Sequence, residues 1–195
     1  MQKKKYTGFI VGGILLILVI YIVSAYNGLV KADEKMNQQW AEVQSTYQRR
    51  LDLVPNIVNV VKGVSEFEQG TLEKIAAARA NAASGISSGE LTGENYKRQE
   101  ALQDSLAAAT NRMIIQVEKY PTLKGTAAYA GLQTQLVGTE RRIKVARNDF
   151  NDAVATYNKK VRTFPSSLIS GIFGFKAKEG FEADAGTDKA VEIKF

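Results

Sequence analysis

"MNQQWAEVQSTYQRRLDLVPNIVNVV", Met36 to Val61, is the stretch that decides the fold. Trp40, Tyr47, Val54 and Val61 recur every seven residues. Met36, Val43, Ile57 and Val64 form a second seven-residue row, interrupted by Arg50. Two such rows make the apolar stripe of a helix packed at a shallow angle against other helices. Pro55 falls inside the stripe. It has no backbone donor, and its ring crowds the carbonyl four residues back. The pattern therefore predicts either a kink at Pro55 or a fresh helix start there.

Toward the N-terminus the stripe runs without cap or turn into "KKKYTGFIVGGILLILVIYIVSAYNGLVK". Tyr6 to Val30 holds 25 residues and no charge, about 38 Å as a helix, enough to cross a roughly 30 Å hydrocarbon core. Tyr6 at one end and Tyr21 and Tyr26 at the other suit the two interfaces. Val23-Ser24-Ala25 also resembles a signal-peptide cleavage site, but the apolar run is longer than a signal peptide needs. An uncleaved single-pass anchor is the expectation, continuous with a helix on the order of 50 residues or longer. Lys3, Lys4 and Lys5 outnumber Lys31 and Lys35 on the other flank, which places the N-terminus in the cytoplasm and exports the rest.

Toward the C-terminus three further helices are expected. Ser65 and Glu68, after Gly63, have capping-box spacing and either open a second helix or continue the first past a weak point; the helix ends before "SGISSGELTGE", Ser84 to Glu94. That stretch has the composition of a flexible connection. A third helix covers about Glu94 to Tyr120, with Leu102, Leu106, Ala109, Met113 and Val117 on one face, and stops at Pro121. A fourth covers about Ala127 to Arg162: Leu136, Ile143, Phe150 and Tyr157 are seven apart, with Leu132, Thr139, Ala146 and Ala153 as the partner row. Phe164 and Pro165 end it. "SSLISGIFGF" and a polar tail follow. The sum is an all-α chain: a transmembrane helix, then an antiparallel four-helix-bundle-like domain with long helices.

The composition excludes much chemistry. There is no Cys and no His, which removes thiol nucleophiles, disulfides and the commonest zinc and haem ligands. No phosphate loop or nucleophile elbow occurs, and the carboxylates are scattered over helix surfaces. No catalytic, cofactor or metal site is expected. Net charge is +6, half of it from the first three lysines, and no basic block with interleaved aromatics points to nucleic acid. Pro55 and Asn56 read as a shaped bend or as a partner's landmark. Arg49, Arg50 and Asp52 read as a lipid-headgroup site or as partners of acids on the fourth helix such as Glu140 or Asp149. Asn151 and Asn158, seven apart, are candidates for setting register. Gly8 and Gly12 have the spacing that lets two spans approach. With Ile169, Ile172, Phe173 and Phe175 they form a candidate association surface.

Several of these segments together resemble the LemA family of bacteria. "RRLDLVPNIVNVVKG" is similar to that family's RR-x-DL-[IV]-PN-[LIV]-V segment, and "YPTLKG" from Tyr120 and Pro121, "LQTQLVGTERRIKVARNDFNDAVATYN" and "FPSSLISGIFGF" extend the likeness in order. The resemblance implies a membrane-anchored helical bundle; with the flanking lysines and the uncharged run it gives an expected cytoplasmic N-terminus at 1–5, an anchor at 6–29, a LemA-like helical bundle at 30–175 and a tail at 176–195. It implies an inner-membrane protein with no established enzyme activity. A related member acts in magnetosome-membrane formation, so membrane organisation is the implied class of role. Two expectations follow. One is a self-associating scaffold for membrane or envelope proteins. The other is a tethered binding module that captures a peptide, lipid or partner protein through its bundle or Phe-rich segment.

Overall fold

The computed structural model describes residues 3–62, 69–86, 92–121 and 126–181, with side chains from residue 8 onward. Five helices follow one another: α1 (Lys3–Lys62), α2 (Gln69–Ile86), α3 (Gly93–Val117), α4 (Ala127–Arg162) and α5 (Ser166–Phe173). Among the described residues there is no strand. The architecture is all-helical, with bundle-like packing behind a long apolar N-terminal helix. The expected Ser65–Glu68 cap and Val64 lie outside the described residues, as do 87–91, 122–125 and 182–195.

α1 is 60 residues long and contains Pro55. The helix does not restart at Pro55, so of the two expected outcomes the fresh start does not occur. The carbonyl that Pro55 deprives of its helical donor belongs to Leu51, four residues back. Arg79 of α2 supplies the replacement: its Nε donates to the Leu51 carbonyl at 2.9 Å. The proline thus frees a backbone acceptor, and a neighbouring helix takes it.

The chain divides into two compact units, 1–41 with 149–178, and 42–148 with 179–195. The second unit holds the larger core. Leu51, Val54, Ile57 and Val61 of α1 pack with Ile75 and Ala82 of α2, Leu106, Met113 and Val117 of α3, and Tyr129 and Leu136 of α4. α2 and α3 come close at Gly85, where a Cβ would lie 2.8 Å from Leu102 Cδ1. Gln99 Nε2 donates to the Gly85 carbonyl at 2.8 Å. Ser84, Gly85 and Ile86 are therefore the last residues of α2, not part of a flexible connection. The glycine is there to admit Leu102. α3 opens with Thr92 as its N-cap, whose hydroxyl accepts from the Asn95 amide at 3.3 Å. It ends at Val117, three residues earlier than expected.

In the first unit Leu29, Ala32, Met36 and Trp40 form the buried side of α1, at helical spacing. Trp40 meets Phe150 of α4 with ring centroids 5.4 Å apart. Leu29 and Ala32 pack with Tyr157, Val161 and Ile169, and Ile22, Ala25 and Phe175 lie against that cluster. After α4 the chain turns through Thr163 to Pro165, whose preceding peptide is cis. α5 then folds back: Ser170 Oγ donates to the Val161 carbonyl at 2.8 Å. Gly174, at φ +78°, ends it in the left-handed conformation that glycine adopts at no steric cost.

Candidate functional site

Two arrangements carry more polar or exposed apolar character than packing requires. The first is a buried polar layer in the second unit. Arg50 interrupts an apolar row and is only 3% exposed. Its Nη1 donates to the Gln103 carbonyl at 3.0 Å and to Gln103 Oε1 at 3.1 Å, while Nη2 pairs with Glu140. A second arginine, Arg147, pairs with Glu100, and its guanidinium lies 4.7 Å from the centre of the Phe181 ring. Phe181 also meets Tyr96 at 5.9 Å. Tyr47 is fully buried in the same unit. Burial pushes its hydroxyl up to about 12; Glu100 and Asp104 add to the rise, and Arg147 and Arg50 oppose it. The Tyr47 hydroxyl has no hydrogen-bond partner among the described residues.

Chemically this layer is committed. The Glu140 and Glu100 carboxylates each hold a guanidinium, and no group of three metal-ligating side chains occurs among the described residues. In the first pair only the guanidinium is buried, at 3% against 43% for Glu140, so losing the carboxylate is costlier than losing the arginine.

The second arrangement is the end of the first unit. α5 buries Ile169 and Ser170 and exposes Leu168, Ile172 and Phe173, the last two at 78% and 51%, and Phe164 is exposed in the turn before it. Tyr26 of α1 meets Phe173 at 4.9 Å and Phe175 at 5.8 Å between ring centroids. α1 from Phe9 to Tyr21 is apolar and uncovered, and this helix alone, among the described residues, is long and apolar enough to cross a membrane.

The residues singled out in the sequence separate on this basis. Of Arg49, Arg50 and Asp52 only Arg50 is buried; Arg49 is exposed, and Asp52 is an exposed acceptor for Gln48 Nε2 at 2.9 Å. Pro55 is half-buried and Asn56 exposed. Tyr120 packs partly against the second unit's core, and Pro121 is exposed. Asn151 is half-buried. Asn158 is engaged by the chain after α5: its amide donates to the Lys178 carbonyl at 2.7 Å and accepts from the Lys178 amide at 2.8 Å. Gly8 and Gly12 face open space. Ile169 must be withdrawn from the exposed association surface, because it is packed on Leu29 and Tyr157, and Phe175 is half covered by Tyr26. Arg79, Gln103 and Phe181 went unremarked in the sequence. A phenylalanine in a polar tail was the available sign of Phe181.

The sequence profile of the LemA family matches residues 39–195. The chain belongs to the LemA family. Relatives of this LemA-family chain include Magnetosome protein MamQ 2 of Paramagnetospirillum magneticum, 35% identical over 83 residues, 43% of this chain and 30% of the relative. Magnetosome protein MamQ of Magnetospirillum gryphiswaldense is 25% identical over 195 residues, covering 91% of this chain and 72% of the relative. Protein LemA of Metamycoplasma hominis is 26% identical over 164 residues, 83% of this chain and 72% of the relative. The match to the first of these spans less than a third of that protein's length. Fold and family together make the chain a membrane-associated helical protein.

Proposed function

We propose that this LemA-family protein is a membrane-anchored scaffold that self-associates and organises neighbouring membrane or envelope proteins, acting through assembly and not through a reaction. One observation carries the reading. α1 is a single helix that is apolar and uncovered in its first part and lines a packed core in its later part. A contact made between spans is therefore transmitted along a continuous element into the folded part of the chain. Gly8 and Gly12, with nothing facing them, offer the close-approach face for such a contact. The magnetosome relatives, named for a membrane-bounded assembly, support the same class of role. The lysine asymmetry favours a cytoplasmic N-terminus, with the helical part on the far side of the inner membrane.

Mass photometry of the full chain in mild detergent tests the reading. Particles above the mass of one copy are expected, and Gly12→Leu shifts them toward the single copy. A uniform single-copy particle, unchanged by Gly12→Leu, sinks self-association and moves the tethered binding module ahead.

A further inference from the structure

The exposed face of α5 is too apolar to belong to water and too basic at its margins to belong to another copy of itself. Phe164, Leu168 and Ile172 are spaced four apart and are 75%, 60% and 78% exposed, with Phe173 beside them. The same helix is fastened from behind by Ile169 and by the Ser170 hydroxyl, so the apolar face is held outward, not left loose. Its height relative to the span is fixed within one unit. If α1 spans, Tyr6 to Tyr26 covers about 30 Å, which leaves Tyr26 at the interface. Phe173 and Phe175 both touch Tyr26. From Lys159 to Lys178 the chain carries Lys159, Lys160, Arg162, Lys176 and Lys178 and no acid. Lys178 is taken by Asp33, and Lys160 donates to the Gly28 carbonyl. Lys159, Arg162 and Lys176 are exposed and form no ion pair among the described residues.

We infer that α5 and the turn before it are a second membrane contact: Phe164, Leu168, Ile172 and Phe173 insert into the interfacial layer of an anionic lipid bilayer beside the point where α1 leaves it. This rests on the reading of α1 as a span. An apolar face rimmed by cations is the pattern of a helix lying in the headgroup region. Anionic headgroups neutralise the rim. A two-fold contact with a second copy would instead set the same cations against one another. Two attachments, one through the bilayer and one along its surface, fix the angle at which this unit meets the membrane.

The absence of cysteine makes the test direct. The full chain is reconstituted into vesicles of phosphatidylcholine with and without phosphatidylglycerol, carrying one nitroxide at Ile172→Cys, Leu16→Cys or Asp52→Cys. Collision with oxygen, which enters the bilayer, is compared with collision with a water-soluble nickel chelate. The expected oxygen-to-nickel ratio at residue 172 is severalfold above that at residue 52 and below that at residue 16. It rises with phosphatidylglycerol and falls in the triple variant Lys159→Gln, Arg162→Gln, Lys176→Gln. A residue-172 ratio equal to that at residue 52 overturns the insertion while leaving the anchor intact. Low collision with both reagents, with spin–spin broadening, overturns it in favour of a second copy. A water-like ratio at residue 16 overturns the span and the insertion together.

Discussion

Pro55 and Arg79 should be energetically coupled although no side-chain contact between them is needed. Leu51 is 1% exposed, so its carbonyl cannot be rescued by bulk water. In the native chain its helical donor is missing and Arg79 Nε takes its place at 2.9 Å. A hydrogen bond from a charged donor contributes about 1.5–3 kcal/mol net, and an orphaned buried carbonyl costs about 1–3 kcal/mol. Arg79→Met keeps most of the aliphatic stem and removes the donor, and is expected to destabilise by about 2 kcal/mol, or about 4–8 °C in melting temperature for a chain of this size. Pro55→Ala restores an N–H four residues from Leu51 and leaves the protein folded and at least as stable, since alanine is the better helix former. In the Pro55→Ala background Arg79→Met should cost less than about 1 kcal/mol, because the carbonyl already has its donor. The double-mutant cycle, measured by denaturant unfolding of the full chain in mild detergent, should give a coupling of about 1–2 kcal/mol. Additivity within about 0.5 kcal/mol would refute the account of why a proline sits in this helix.

Phe150→Ala is expected to cost about 3–5 kcal/mol, since the ring is fully buried against Trp40; an unchanged melting temperature would remove Phe150 from the core. Glu140→Gln should destabilise more than Arg50→Met, because the first leaves a buried guanidinium without its counter-charge and the second removes the buried charge; thermal unfolding in the reverse order contradicts the buried-charge reading. Tyr47 has its hydroxyl raised from 10.0 to about 12, so the folded state holds that proton more tightly than the unfolded chain does. Its contribution is intact below pH 10 and is lost as the pH climbs from 10 toward 12. Tyr47→Phe should therefore be near neutral at pH 7 and lose less stability than the native chain above pH 10, read as melting temperature against pH. A cysteine at Gln2 should be shielded from an impermeant thiol reagent in intact cells while one at Asp52 reacts; the reverse pattern inverts the orientation but keeps the anchor.

What the sequence disclosed is what periodicity can report. Seven-residue rows give the face of a helix that must be covered, and Trp40, Tyr47, Val54, Ile143, Phe150 and Tyr157 are all buried. The fourth expected helix, Ala127 to Arg162, has the bounds it should. Periodicity does not report which distant element covers a face. Arg79 has no mark in its own neighbourhood that points to a carbonyl 28 positions earlier. Gly85 was misjudged for the opposite reason. A serine- and glycine-rich string has the composition of a connection, yet here the missing Cβ is what allows Leu102 to pack. In "SSLISGIFGF" the apolar count was plain, but dividing it into Ile169 within and Ile172 without requires the turn at Thr163 to Pro165.

The Arg50 pairings also set an order of events during synthesis. Gln103 and Glu140 are made 53 and 90 residues after the arginine they serve. At a translation rate of about 5–20 residues per second, Glu140 follows Arg50 by roughly 5 to 18 s. Throughout that interval the long first helix carries, in the middle of its sticky stripe, a charge that water holds better than any apolar surface does. Burying that charge against lipid or another chain before its partner exists would be costly. The buried guanidinium gains its counter-charge only when α4 delivers that carboxylate.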